Sequence, residues 1–204
     1  MSITQFLNHC GFFEFEGYSQ QVRGQVNDLL ALTRRHSIEV MEIGFNAGHS
    51  AELFLHNNPY LTLTSFDLGR WDYIYPAKHY IDYMYPNRHT LIMGDSTVTV
   101  PKYISDNPGK KFDVIFIDGG HEYETAKADL ENCFHLAHKD TIIILDDTMF
   151  TPGWEADHTR GPSRVWIETV SVNKIKEMAK KDYQEYRGMS WGRYVFPACP
   201  LDKN

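Results

Sequence analysis

The amino-acid sequence predicts an α/β fold: a doubly wound, seven-stranded sheet, mostly parallel, with an antiparallel C-terminal hairpin. Two patterns support this prediction. Short apolar runs rich in β-branched residues alternate with segments of helical periodicity, which is typical of a parallel sheet covered by helices. The last two runs are joined by residues 188–190, and a connection that short indicates an antiparallel pair.

Residues 1–37 are expected to form a helical region ahead of the sheet. Val22, Val26 and Leu29 recur there at helical spacing. This periodicity predicts an amphipathic helix over 19–36.

Three strands, each followed by a helix, come next. Gly44 ends the first strand, and Pro59 and Pro86 stop the helices after the first and second strands. The third helix is expected to be broken by Pro101 or to begin near it, because proline lacks the N–H that a helix interior uses. The predicted strands are 38–43, 61–66 and 90–93, and the predicted helices are 49–57, 74–85 and 97–106.

The second half of the chain contains the most apolar strands. The run over 141–145 is apolar enough for a central strand that is buried on both faces. A long loop over 147–162 is expected to lead to a helix over 163–181. Four lysines are interpreted as the solvated face of that helix: Lys174, Lys176, Lys180 and Lys181. The other predicted elements are the strand 112–117, the helix 122–137 and the hairpin strands 183–187 and 191–196.

Length and composition predict one soluble domain over residues 1–204, with its core over 38–196. No apolar run approaches the roughly 20 residues that a membrane helix needs. The net charge of −7 repels phosphate backbones, so nucleic acid is not expected as a partner. Cys10, Cys133 and Cys199 are scattered and odd in number, which favours free thiols in a reducing cytoplasm. The sequence leaves a homo-oligomer open.

Small and polar residues stand where the first three strands end, and ligands of such sheets bind beyond these ends. Gly44 and Gly48 allow a tight turn with close backbone approach, ahead of the free N–H groups of a helix. Asp67 can accept hydrogen bonds from ribose hydroxyls, and Asp95 from an adenine amino group. Each residue alone could be a turn or cap residue, but their order predicts a nucleoside-shaped pocket.

Carboxylates also follow the fourth and fifth strands. Asp118 ends the fourth, and Asp146 and Asp147 follow the fifth. Neighbouring carboxylates repel unless a cation or protons neutralise them, and oxygen ligands without cysteine favour Mg²⁺. His121 is expected at the start of the next helix, facing the same cavity. Helix capping is the alternative interpretation of these residues.

These segments resemble the metal-dependent class I O-methyltransferases over about residues 38–196. Residues 42–50, EIGFNAGHS, are similar to the family's first motif, E-x-G-x-x-x-G-x-S. Residues 117–123 resemble the I-D-x-x-H-x-Y motif of the branch that includes macrolide-sugar O-methyltransferases. The resemblance implies a Rossmann-like fold with S-adenosylmethionine as cofactor. The cofactor-binding residues that it implies are Glu42, Gly44, Asn46, Gly48, Ser50, Asp67, Asp95, Ser96 and Asp118.

The same resemblance implies that Asp118, Asp146 and Asp147 bind Mg²⁺ and that His121 is the base. A histidine of ordinary pKa, near 6.5, is mostly neutral at pH 7 and can accept a proton. An alcohol needs this help more than a phenol does, so the expected acceptor is a hydroxyl of a small molecule or glycan, most simply of a sugar. A catechol or another phenol is the alternative acceptor.

Two other classes of protein are disfavoured. An NAD-dependent oxidoreductase would carry a second motif glycine where Asn46 stands. A non-catalytic domain that only binds S-adenosylmethionine would need neither the carboxylates nor His121.

Overall fold

A computed structural model describes residues 1–17, 21–34 and 38–197 of the chain. The strands are β1 Ile38–Ile43, β2 Leu61–Asp67, β3 His89–Met93, β4 Phe112–Ile117, β5 Ala137–Asp146, β6 Ile175–Gln184 and β7 Arg187–Tyr194. The helices are α1 Ile3–His9, α2 Arg23–Leu32, α3 His49–Asn57, α4 Ile74–Met84, α5 Ser96–Asp106, α6 Tyr123–Phe134 and α7 Asp157–Ser171.

The strands form one seven-stranded sheet in the order β3-β2-β1-β4-β5-β7-β6. Neighbouring strands from β3 to β5 are parallel, whereas β7 lies antiparallel between β5 and β6. The predicted fold class is therefore confirmed. The strand order reverses between β1 and β4, which is the position where open α/β sheets form their ligand crevice.

Both faces of the sheet are buried, because each central strand is apolar on both sides. Val114 and Phe116 of β4 pack into one core, together with residues of α1, α3 and α4. Ile115 and Ile117 pack into the other core, together with residues of α5, α6 and α7. None of the described helices has the length and apolar character needed to cross a membrane.

The N-terminal region differs in detail from the prediction. Residues 3–9 form α1, a short helix that the periodicity did not indicate, and a capping box between Ser2 and Gln5 begins it. The helix predicted over 19–36 runs over Arg23–Leu32. The ends of that prediction fall partly on 18–20 and 35–37, and Cys199 on 198–204, all outside the described residues.

The helix α5 continues through Pro101, so the predicted break is wrong. Proline removes one backbone donor from the helix. The helix nevertheless continues without interruption, and Val100, which precedes the proline, is fully buried in the core.

The last third of the chain corrects three predictions. The helix begins at Asp157 and ends at Ser171, and the lysines after it lie on or beside the strand β6. Along β6, Ile175 is buried and Lys176 is exposed, in the alternation expected of a strand. The hairpin turns at residues 185–186, and Gly188 lies inside β7, opposite Asp182. Local helical spacing had suggested a helix, but the pairing of β6 with β7 overrides it.

Candidate active site

A cavity of about 850 Å³ lies at the carboxyl ends of the parallel strands. Its wall combines residues that follow β1 to β5 with the N-terminal segment, the start of α7 and the tip of the β6–β7 hairpin. Of the predicted site residues, the wall contains Gly44, Asn46, Asp67, Asp95, Ser96, Asp118, His121 and Asp147.

The turn after β1 requires glycine at two positions. Gly44 has φ +98°, and a Cβ there would collide with the carbonyl oxygen of Asp118, the residue after the neighbouring strand β4. Gly48 has φ +75° and begins α3, where a Cβ would lie 2.8 Å from Cδ1 of Ile3. Gly44 lines the cavity, whereas Gly48 stands behind its wall.

Asn46 and Asp67 are hydrogen-bonded to each other on the cavity wall. The backbone N–H of Asn46 donates to Oδ2 of Asp67 at 2.7 Å, and the N–H of Gly69 donates to Oδ1 at 2.8 Å. The side-chain amide of Asn46 also donates to the carbonyl oxygens of Glu16 and Gly17, at 3.2 and 3.3 Å. This amide brings the N-terminal segment onto the cavity wall, a contact that the sequence analysis missed.

Asp95 and Ser96 lie on the wall where β3 passes into α5. Oδ1 of Asp95 accepts hydrogen bonds from the backbone N–H and the hydroxyl of Thr97, at 2.9 and 2.7 Å. These bonds lower the pKa of Asp95. Asp95 is therefore the N-cap of α5 as well as a polar group of the cavity.

Glu42 and Ser50, which the resemblance assigns to the cofactor, lie beneath the turn and do not line the cavity. The fully buried carboxyl of Glu42 accepts hydrogen bonds from Oγ of Ser50 at 2.8 Å and Oγ of Ser65 at 2.6 Å. Burial raises the pKa of Glu42 to about 7. The carboxyl of Glu42, on β1, thereby links this strand to β2 through Ser65 and to α3 through Ser50.

The acidic side of the cavity brings together Asp118, His121 and Asp147. Each offers one potential ligand atom for a metal ion, and these atoms lie within 4.8 Å of one another. Nε2 of His121 is 3.0 Å from Oδ2 of Asp147. The hydrogen bond with Asp147 raises the pKa of His121, and burial with two neighbouring carboxylates raises the pKa of Asp118.

The other oxygen of the buried Asp147 carboxylate, Oδ1, has no hydrogen-bond partner among the described residues. Two basic side chains approach it less closely: Nε2 of His158 and Nη1 of Arg187, both at 3.9 Å. Asp147 also has φ +54°, an uncommon backbone conformation for a residue with a Cβ.

Asp146 neighbours Asp118 but is not one of the three residues that form this cluster. Its carboxylate is buried and faces α2, where the side-chain amide of Gln25 donates to Oδ1 at 2.7 Å and to Oδ2 at 2.8 Å. Burial raises the pKa of Asp146 to about 8. The residue that lines the cavity at the end of β5 is Asp147.

Two basic residues of the cavity wall lie beside the acidic cluster. His158 comes from the first turn of α7, and its ring centroid lies 5.5 Å from that of His121. Glycine at position 161 allows the helix to approach this closely, because a Cβ there would collide with the carbonyl oxygen of His121. Arg187 begins β7. Of the aromatic residues that follow β2, Trp71 lines the cavity, whereas Tyr73 is buried.

Comparisons with known proteins place this geometry in context. A family model described as a methyltransferase domain matches residues 41–148. A search of curated protein sequences finds no match.

Several solved structures share the fold. The O-methyltransferase from Bacillus cereus, in complex with SAH, is 16% identical, with a TM-score of 0.73 over 95% of this chain and 89% of that one. TomG from Streptomyces achromogenes, an O-methyltransferase involved in tomaymycin synthesis and bound to SAM, is 14% identical, with a TM-score of 0.71 over 95% and 88%. CalS11, a TDP-rhamnose 3'-O-methyltransferase of calicheamicin biosynthesis, is 23% identical, with a TM-score of 0.62 over 84% and 80%.

Proposed function

The chain belongs to the methyltransferase domain family, and from this membership we propose an S-adenosylmethionine-dependent O-methyltransferase that acts on a sugar hydroxyl or another small-molecule hydroxyl. One observation carries the proposal: a single cavity joins the polar groups after β1, β2 and β3 to the cluster of Asp118, His121 and Asp147. The first set suits a nucleoside, and the second suits a hydroxyl that must lose its proton.

The cofactor half of the cavity supports S-adenosylmethionine. The Gly44 turn leaves room for close backbone approach, Asp67 offers acceptors for ribose hydroxyls, and Asp95 offers an acceptor for an adenine amino group. Two proteins of the same fold were solved with SAH or SAM. A dinucleotide fits less well, because its pyrophosphate needs the position where Asn46 stands. Bound S-adenosylmethionine would supply an electrophilic methyl group on its sulfonium.

The acidic cluster fits a divalent cation. Asp118 and Asp147 provide oxygen ligands, and Oδ1 of Asp147 is a buried acceptor without a hydrogen-bond partner among the described residues. Carboxylate oxygens without cysteine favour Mg²⁺. A bound Mg²⁺ would polarise the acceptor hydroxyl.

His121 is the proposed base. It lies on the cavity wall beside both carboxylates and can accept the proton of a hydroxyl held there. Asp147, which bonds its Nε2, would stabilise the imidazolium that results. General base catalysis of this kind is typically worth ~10²–10⁴-fold in rate.

The proposed acceptor is a sugar or glycan hydroxyl, because an alcohol depends more strongly on a base than a phenol does. CalS11, which shares the fold, is named for methylation of a nucleotide-linked sugar. Trp71 lies on the wall, and aromatic side chains suit sugar rings. Trp71 would also suit a planar phenol, so catechols remain the second candidate.

The cofactor is tested by calorimetric titration of the protein with S-adenosylhomocysteine and, separately, with NAD. We expect saturable binding of S-adenosylhomocysteine and no heat from NAD. The reverse result would refute the proposal. Turnover with any hydroxyl acceptor would in turn exclude a domain that only binds the cofactor.

The acceptor class is tested by screening free sugars, glycosides and catechols with labelled S-adenosylmethionine. His121→Ala provides the second criterion, measured from pH 7 to 10. A phenol ionises in this range and should regain much of its rate at high pH, whereas a sugar hydroxyl should not. Methylation of catechols alone would refute the sugar proposal.

A further inference from the structure

The two acids at the end of β5 have different surroundings. Both oxygens of Asp146 accept hydrogen bonds from the amide of Gln25, and Gln25 is itself fully buried. Asp147 lines the cavity with one oxygen free of hydrogen bonds among the described residues. Asp146 is therefore hydrogen-bonded within the protein, whereas Asp147 is available to a ligand.

The helix that carries Gln25 is fastened to the sheet. On α2, Asp28 accepts hydrogen bonds from Nζ of Lys181 at 2.8 Å and from the hydroxyl of Tyr183 at 2.7 Å, both on β6. Gly24 lets α2 approach the ring of Tyr183, since a Cβ there would lie 2.8 Å from Cδ1. These contacts between α2 and β6 fix the position of Gln25 relative to Asp146.

We propose that Gln25 and Asp146 are a positioning pair that orients the Asp147 carboxylate towards the cavity, and that Asp146 is not a cation ligand. The inference rests on the proposed function, which places a divalent cation at Asp118 and Asp147. The Asp147 backbone has φ +54°, an uncommon conformation. The direction of the Asp147 side chain therefore depends on how firmly the preceding residue, Asp146, is held in place. Gln25 supplies that hold from outside the matched family segment, which begins at residue 41.

Exchanging the two groups of the pair separates positioning from ligation. In Asp146→Asn, the Gln25 amide has to turn over, because its Nε2 faces both side-chain oxygens of Asp146 in the unmodified protein. Its Oε1, a buried oxygen without a hydrogen-bond partner among the described residues, then accepts from the new N–H. The pair is kept, and the carboxylate of Asp146 is lost. In Gln25→Glu, a carboxyl group replaces the amide, so both hydrogen bonds that Nε2 donates to Asp146 are lost. The double variant Gln25→Glu/Asp146→Asn restores a carboxylate opposite an amide.

The readout is the affinity for Mn²⁺, used as the probe cation and measured by calorimetry and electron paramagnetic resonance on the full chain. We expect Asp146→Asn and the double variant to bind within about threefold of the unmodified protein. Gln25→Glu should bind about 10–100-fold more weakly, the range for lost support of a metal ligand. Asp147→Asn is the matched control and should weaken binding at least as much, with no recovery from changes at Gln25.

Equal losses in Asp146→Asn and Asp147→Asn, without recovery in the double variant, would overturn this inference and make Asp146 a ligand. Thermal melting of each variant identifies a folding defect. If Gln25→Glu does not fold, the comparison of Asp146→Asn with Asp147→Asn still decides. Failure of the unmodified protein to bind Mn²⁺ would instead refute the cation part of the proposed function, and this inference with it.

Discussion

Replacing Glu42 by glutamine should change how the stability of the fold depends on pH. The carboxyl of Glu42 is fully buried between Ser50 and Ser65, and burial raises its pKa from 4.5 to about 7. In the unfolded chain the same group has its ordinary pKa. Between pH 4.5 and 7 the folded state therefore holds a proton that the unfolded state has released, so stability falls as the pH rises.

The size of the effect follows from the two pKa values. One pKa unit corresponds to about 1.4 kcal/mol, so the shift from 4.5 to about 7 is worth about 3 kcal/mol. The stabilisation is complete below pH 4.5 and is lost once the pH has passed 7. Glutamine has nearly the same shape but does not ionise, so Glu42→Gln should lack this part of the pH dependence.

The measurement is chemical denaturation of both proteins at several pH values from 4.5 to 8, with the free energy of unfolding compared between them at each pH. Burial lowers the pKa of His49 to about 4 and of His89 to about 3, and their contributions cancel in the difference because both proteins retain them. The exposed Glu14→Gln serves as the control and should parallel the unmodified protein. A difference between Glu42→Gln and the unmodified protein that stays constant within about 0.5 kcal/mol would refute the reasoning.

Three further predictions concern the cavity. Asp67→Ala should weaken S-adenosylhomocysteine binding by roughly 1–3 kcal/mol in calorimetry, and unchanged affinity would contradict the ribose role of Asp67. EDTA should abolish methyl transfer and Mg²⁺ should restore it, whereas full turnover in metal-free buffer would leave the acidic cluster a structural role. His121→Ala should lower kcat by ~10²–10⁴-fold with nearly unchanged cofactor affinity, and a kcat within threefold of the unmodified value would exclude His121 as the base.

Much of the fold was accessible from the sequence because the signals were local. The bounds of β1, α3 and β4 agree with the predictions to the residue, since apolar runs and flanking glycines report a strand or helix directly. The lysine-rich stretch over 174–181 was assigned wrongly for the opposite reason. Its spacing suits a helix, and its pairing with β7 depends on residues 187–194, which lie beyond any local window.

The sequence by itself determined which residues after β1, β2 and β3 share one side of the cavity, because each of them follows a strand and parallel strands end at one edge of the sheet. Gly44, Asp67 and Asp95 needed only their places after β1, β2 and β3. Only the tertiary structure decided which acid at the end of β5 faces the cavity. Asp146 and Asp147 are adjacent and chemically alike, and Gln25, which donates to Asp146, is 121 residues away in the sequence. The direction of a side chain is set by its three-dimensional partners, and residue type and spacing alone do not encode those partners.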